Sequence, residues 1–155
     1  MTDQELMQIA IRLSEENVRN GGGPFGAVIA KEGEVIATGV NRVTANNDPT
    51  AHAEVSAIRA ACQKVQNFKL DGCTVYSSCE PCPMCLSALY WAGVDRIIYA
   101  NTKDDAKTIG FDDSFIYDEL KLTREERHVS YSQMLRDEAL EAFRLWENKE
   151  DKTEY

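Results

Sequence analysis

Apolar residues recur at helical spacing across residues 4–20, with Leu6, Ile9, Ala10 and Leu13 on one stripe. The glycines of "NGGGPFG" end that helix, and Pro24 opens the next element. "GAVIAKEGEVIATGV" carries two apolar runs around Glu32 and Gly33 and predicts a hairpin. "NRVTANND" reads as a polar loop. A second helix starts near "DPTAHAEVSAIRAAC", with Asp48 or Thr50 as its cap and Pro49 in its first turn. Val55, Ile58, Cys62 and Val65 form its apolar face. "CTVYSS" predicts a short strand, and "PCPMCLSALYWA" a third helix with Pro81 and Pro83 near its start. "RIIYA" reads as a buried strand, "FDDSFIYDEL" as a short helix behind the cap Asp112, and "HVSYS" as a last strand. "DEALEAFRLWENK" is a terminal helix with Leu140, Phe143 and Trp146 facing inward. Strands alternating with helices imply an α/β fold, a three-layer α/β/α sandwich around a mixed sheet of about five strands. Neither a repeat nor a linker divides residues 1–155, so one domain is expected.

Composition narrows the partners. At 155 residues and 43% hydrophobic, the chain can bury a core without disulfides. A mean hydropathy of -0.41 and no long apolar run argue against a membrane span. "MTDQELMQIAIRL" lacks the basic start and cleavage pattern of a signal peptide. Three of the five cysteines fall in "CEPCPMC", which is no disulfide framework; metal-binding thiolates in the reducing cytoplasm are expected. The net charge of -9, with acids crowding Asp104 to Glu119 and Asp137 to Glu154, disfavours nucleic acid and suits a small neutral substrate.

The cysteines then need partners. Cys82 and Cys85 are three apart at a predicted helix start, where both thiols face one side and the helix dipole favours thiolate. Cys79 is a third candidate, but it lies across Pro81. Of the two histidines, His128 has no ligand-type neighbours, whereas His52 sits at the other predicted helix start. His52, Cys82 and Cys85 make three ligands with a fourth position open, the pattern of catalytic zinc, whose bound water is acidified towards neutrality. Glu54, in the first turn beside His52, can reach such a water without being a ligand and can shuttle its proton. Two rivals remain. A structural zinc site that adds Cys79 leaves Glu54 without a role. A redox dithiol at Cys82 and Cys85 lacks a thioredoxin-like context.

His-x-Glu followed by Pro-Cys-x-x-Cys resembles the signature of the zinc deaminases. From about Met7 onward the chain is similar to the cytidine and deoxycytidylate deaminase superfamily. "NDPTAHAEVSAIR" and "SSCEPCPMCLSALYWA" look like the branch that holds bacterial guanine deaminases and tRNA adenosine deaminases. "GFDDSFIYDEL" and the ending "KTEY" resemble the guanine deaminases. The resemblance implies a cytidine deaminase-like fold, one zinc per subunit on His52, Cys82 and Cys85, and Glu54 as proton shuttle. It implies that Asp113 contacts the purine and helps move protons, and that Tyr155 closes the pocket. It also implies a homodimer whose C-terminal segments are exchanged. Asn41, Phe25, the Ala53 N–H and Phe111 are further candidate contacts to a small-molecule purine base. Phe25 reads equally well as core; packing is the alternative for Phe111, and a solvated acid in a helix cap the lesser alternative for Asp113. The expected reaction is zinc-dependent conversion of guanine to xanthine and ammonia. A tRNA adenosine, cytosine or nucleoside deaminase, or a non-catalytic zinc module, are the alternatives.

Overall fold

Helix α1 (Asp3–Arg19) forms on the predicted stripe, with Leu6 and Ala10 fully buried. A capping box opens it: the Glu5 N–H donates to the Thr2 hydroxyl, and the Thr2 N–H donates to the Glu5 carboxylate. The structure is a computed structural model describing residues 1–155. It divides into two units, Met1–Asp113 and Ser114–Tyr155.

In the first unit, β1 (Gly26–Lys31) and β2 (Glu34–Val40) form the expected hairpin. Glu32 and Gly33 both take positive φ (50° and 79°), as a two-residue turn matched to strand twist requires. On its other side β1 pairs antiparallel with β3 (Cys73–Cys79), which pairs in parallel with β4 (Arg96–Asn101). The order is β2-β1-β3-β4, a mixed sheet of four strands rather than about five. Alternate residues of β1 face opposite layers. Val28 and Ala30 meet Leu6 and Ala10 of α1, together with Tyr76. Ala27 and Ile29 join the core beneath α3 (Ala53–Val65) and α4 (Pro83–Ala92), which contributes Leu89 and Ala92. These are the three expected layers.

Several elements differ from expectation. The buried stripe of α3 is Ala53, Ala57 and Ala61; Ile58 and Cys62 only flank the core, and Val65 is exposed. The helix lies so close to β2 that a Cβ on Gly39 would collide with the Ala53 carbonyl and the Ala57 amide, so small residues take the contact. β4, expected to be buried, is an edge strand with Ile97 and Ile98 half-buried and Tyr99 exposed. The predicted polar loop contains one helical turn, α2 (Val43–Asn46), stopped by Asn47 in the left-handed conformation. Helix α5 (Lys103–Thr108) had no periodic signal; it stands on a capping box between Thr102 and Asp105.

The second unit holds α6 (Ser114–Lys121), a 3₁₀ turn at Arg124–Glu126 and α7 (Arg136–Glu147). α6 starts one residue later than a cap at Asp112 would place it. The expected strand at "HVSYS" is irregular, because this unit has no other strand to pair with it. Tyr131 lies instead against the guanidinium groups of Arg124 and Arg127, at 5.7 and 5.6 Å. α7 is present, but Phe143 and Trp146 are exposed and Leu140 only half-buried, contrary to the inward face expected. No residue of this unit is buried, since two short helices cannot enclose a core.

Candidate active site

The site is built where α3 and α4 begin. Asp48 does not cap α3. Its carboxylate accepts from the Thr50 N–H (2.8 Å) and hydroxyl (2.6 Å), pairs with Arg59 at 3.4 Å, and makes a turn of its own. Pro49 keeps Asp48 out of helical geometry. The helix therefore starts later, at Ala53, with His52 as an extended N-cap (φ -67°, ψ 160°) whose side chain makes no capping bond. α4 repeats the arrangement: Pro83 is its first residue, Pro81 lies outside, and Cys82 is an extended N-cap (φ -65°, ψ 168°) with no capping bond. Both N-cap side chains are thus left to turn towards each other.

His52 Nδ1 lies 3.5 Å from Cys82 Sγ and 3.4 Å from Cys85 Sγ, and the ligand atoms of these three residues all fall within 4.8 Å of one another. Two sulfurs and one imidazole nitrogen suit a tetrahedral zinc ion with one position left over. Cys79 is not in the group. Its thiol donates to the Thr102 carbonyl at 3.6 Å, and burial pushes it up to about 11. His128 lies in the second unit, where its N–H donates to Glu119. The thiols are electrically matched to a cation. Cys82 is pulled down to about 4, first by the hydrogen bond from the Cys85 thiol and then, against the effect of burial, by His52. Cys85 moves up, chiefly because its proton is committed to Cys82. His52 is raised through its hydrogen bond with Cys82. A metal ion would bind both sulfurs as thiolates and displace their protons.

Glu54 stands in the first turn of α3 and is 6% exposed. Burial raises its carboxyl above the ordinary range, while the Ser77 hydroxyl, donating to Oε1 at 2.9 Å, pulls the other way. Sequence reasoning missed Ser77. The signal was a pair of serines inside a strand buried on both faces, where each hydroxyl must find a partner. Ser78 is the other: its Oγ accepts from the Gly26 N–H at 3.0 Å and so fixes the backbone beside Phe25.

The remaining candidates fall as follows. Asn41 follows β2 directly; its Oδ1 accepts from the Val43 N–H at 3.2 Å, so its Nδ2, a donor, is the group left to offer. Phe25 packs partly on the core and meets Phe111 edge-on, with ring centroids 4.9 Å apart. The Ala53 N–H heads α3, where no intrahelical acceptor exists. Asp113 is half-buried; burial raises its carboxyl, and the negative charge at Cys82 adds to the effect. Tyr155 belongs to the second unit, where it lies 6.5 Å from Trp146 between ring centroids. Glu80 accepts from the Lys103 N–H at 2.9 Å and serves the start of α5.

Among known proteins, residues 1–101 match the cytidine and deoxycytidylate deaminase zinc-binding region. The guanine deaminase of Bacillus subtilis (strain 168) is 50% identical over 156 residues, spanning 100% of both chains. An X-ray structure of guanine deaminase from Bacillus subtilis gives a TM-score of 0.97 over 100% of this chain and 99% of that one. The tRNA-specific adenosine deaminase of Aquifex aeolicus (strain VF5) is 38% identical over 64% of this chain and 66% of its own. A guanine deaminase from Nitrosomonas europaea gives a TM-score of 0.68 at 35% identity, over 72% and 65% of the two chains. Since the matched region runs through both helix starts that bring His52 to Cys82 and Cys85, the chain belongs to the cytidine and deoxycytidylate deaminase family.

Proposed function

We propose that the protein is a guanine deaminase, hydrolysing guanine to xanthine and ammonia. The observation that carries this reading is the likeness to the Bacillus subtilis guanine deaminase over both whole chains at 50% identity. The match to the tRNA-specific enzyme of Aquifex aeolicus spans 64% of the chain, and the net charge of -9 does not suit a polyanion.

In this reading His52, Cys82 and Cys85 hold zinc. Zinc, when bound, supplies the activation of the attacking water. Glu54 takes a proton from that water as it adds to C2 of guanine, and gives one to the adjacent ring nitrogen. A tetrahedral centre forms at C2. Glu54 then takes the proton of the new C2 hydroxyl, Glu54 or Asp113 protonates the amino group, and as the C–N bond breaks the C2 oxygen becomes the carbonyl of xanthine and ammonia leaves. Burial suits Glu54 to this work: raising its pKa makes the carboxyl a better proton acceptor while leaving it able to return the proton. Phe25 and Phe111 offer ring faces and edges to the purine, while Asn41 and the Ala53 N–H offer donors to its polar edge. Asp113 accepts from its N–H groups.

The same reading includes a cytoplasmic homodimer in which the C-terminal segment is exchanged and Tyr155 covers the partner subunit's site. Its support is a second unit without one buried residue, and α4, which exposes Tyr90 and Trp91. None of the five cysteines is joined in a disulfide, which accords with a reducing compartment. No helix is long and apolar enough to cross a membrane.

Ammonia release by the zinc-loaded protein is the test, run on guanine, guanosine, cytosine, cytidine, adenine and a tRNA anticodon stem-loop. Xanthine and ammonia from guanine are expected. Turnover of another substrate in its place would overturn the assignments of Asp113 and Tyr155.

A further inference from the structure

We propose that Asn17 is a positioning residue for the purine: one buried amide ties together the two backbone segments that carry Phe25 and Asn41. The inference rests on the reading that Asn41 touches the base.

Asn17 lies in the last turn of α1 and is 8% exposed. Asparagine is a poor helix former, and its buried side chain makes no use of its own helix. Its Nδ2 donates twice, to the Gly23 carbonyl at 2.7 Å and to the Asn41 carbonyl at 2.9 Å. A flipped amide would set Oδ1 against two carbonyls, so the orientation is fixed. Gly23 precedes Phe25 by two residues, and the Asn41 N–H returns to the Phe25 carbonyl at 3.2 Å. The loop and the end of β2 are thereby closed into one frame through Asn17.

The three glycines of the loop fit this frame. Gly21 takes φ 87° in a Schellman motif: the Gly22 N–H donates to the Asn17 carbonyl (2.8 Å) and the Gly21 N–H to the Val18 carbonyl (3.0 Å). A Cβ on Gly22 would collide with the Asn17 amide, and one on Gly23 would press on the Asn41 side chain at 3.2 Å. Asn17, Gly22, Gly23 and Asn41 thus meet with no room for further side-chain atoms. The Asn41 side chain is itself anchored through Oδ1 to the Val43 N–H, so any shift of its backbone moves the Nδ2 donor with it.

Asn17 never meets the base in this arrangement; it acts through Asn41 and the loop. Its removal takes the side-chain donor from the Asn41 carbonyl, leaves the Gly23 carbonyl with the Phe25 N–H alone, and misaligns the donor of Asn41. Binding is weakened more than chemistry, since zinc ligands and Glu54 lie on other elements.

The experiment is a double-mutant cycle on the zinc-loaded protein, with KM and kcat per bound zinc for guanine, and Tm for each variant. Asn17→Ala is expected to raise KM by about tenfold, the order expected for a lost buried hydrogen bond, with kcat nearly kept. Gly22→Ala should reproduce the effect while retaining the fold, because the added methyl displaces only the tip of Asn17. In the Asn41→Ala background both changes should add little, since their route is already cut. The proposal is overturned if either variant lowers Tm and leaves KM unchanged, or if the full KM effect persists without Asn41. If Asn17→Ala does not fold, Gly22→Ala and its cycle with Asn41→Ala decide alone. An Asn41→Ala enzyme with wild-type KM would overturn both this proposal and the role of Asn41. Turnover of a different base overturns the guanine reading only, and the same cycle is then read on that base.

Discussion

Glu54 sits where its own charge is disfavoured, and hydrogen bonds from its own backbone N–H and from the Ser77 hydroxyl moderate that penalty. Burial holds the carboxyl above its usual range, and Ser77 favours the carboxylate by donating to it. Glu54→Gln keeps the shape and loses the proton traffic. Turnover should fall by about 10²- to 10⁴-fold while zinc content, measured by atomic absorption, stays at one per chain. Ser77→Ala tests the balance. The active form is the carboxylate, so kcat/KM declines as pH falls through the Glu54 pKa. Removing the donor raises that pKa further, and the acid limb of the pH–rate profile should move to higher pH. An unmoved limb would separate Ser77 from the reacting proton. Of these residues, Glu54 was legible in "HAE" because the two-residue spacing has a chemical meaning. Ser77 was not, because a hydroxyl in a strand declares its partner only once α3 is laid across the sheet.

At the scale of the element, helical periodicity identified α1, while apolar runs beside a turn identified the hairpin and a short apolar run identified β3, which is buried on both faces. Periodicity misjudged α3. The close approach over Gly39 hands the core to alanines and leaves the bulkier Ile58 and Cys62 at the flank. Local polar chemistry was the other source of error. Asp48 and Thr50 look like caps, yet they satisfy each other, and the helix begins only where His52 can serve the site. The zinc motif was legible for the opposite reason: Pro83 and the Cys82–Cys85 spacing specify a helix start with little help from tertiary structure. Cys79 belongs to the strand that leads into it. Because its thiol turns to the Thr102 carbonyl, Cys79→Ala should leave zinc stoichiometry and ammonia release near wild type. Loss of the metal in that variant would restore the four-ligand structural site.

At the scale of the whole molecule, the proposed lid makes a prediction about the C-terminal tyrosine. Deleting residues 152–155 should harm catalysis more than folding, as followed by kcat/KM beside Tm. Mixing then distinguishes exchange from closure within one subunit. Under exchange, a Glu54→Gln subunit lends Tyr155 to a truncated subunit that has an intact site, so co-refolding the two inactive proteins restores ammonia release. Without exchange, the mixture stays as inactive as its components. The path of this segment was not legible in sequence. Its apolar periodicity signals a face to be covered, as the exposure of Phe143 and Trp146 makes plain, but periodicity does not name the covering chain.

His52 and Cys82 are the N-cap residues of α3 and α4, and neither side chain caps its helix. The ion they share would be the common fastener of both first turns, so its loss should be felt as fraying of two helices at once. Chelation should speed amide hydrogen exchange over residues 54–57 and 84–87 together, ahead of the sheet. At about a hundredfold excess of free zinc over Kd, the same linkage should stabilise the folded state by about 2.7 kcal/mol. A site that serves chemistry would then also set how long the surrounding fold survives in a metal-poor cell.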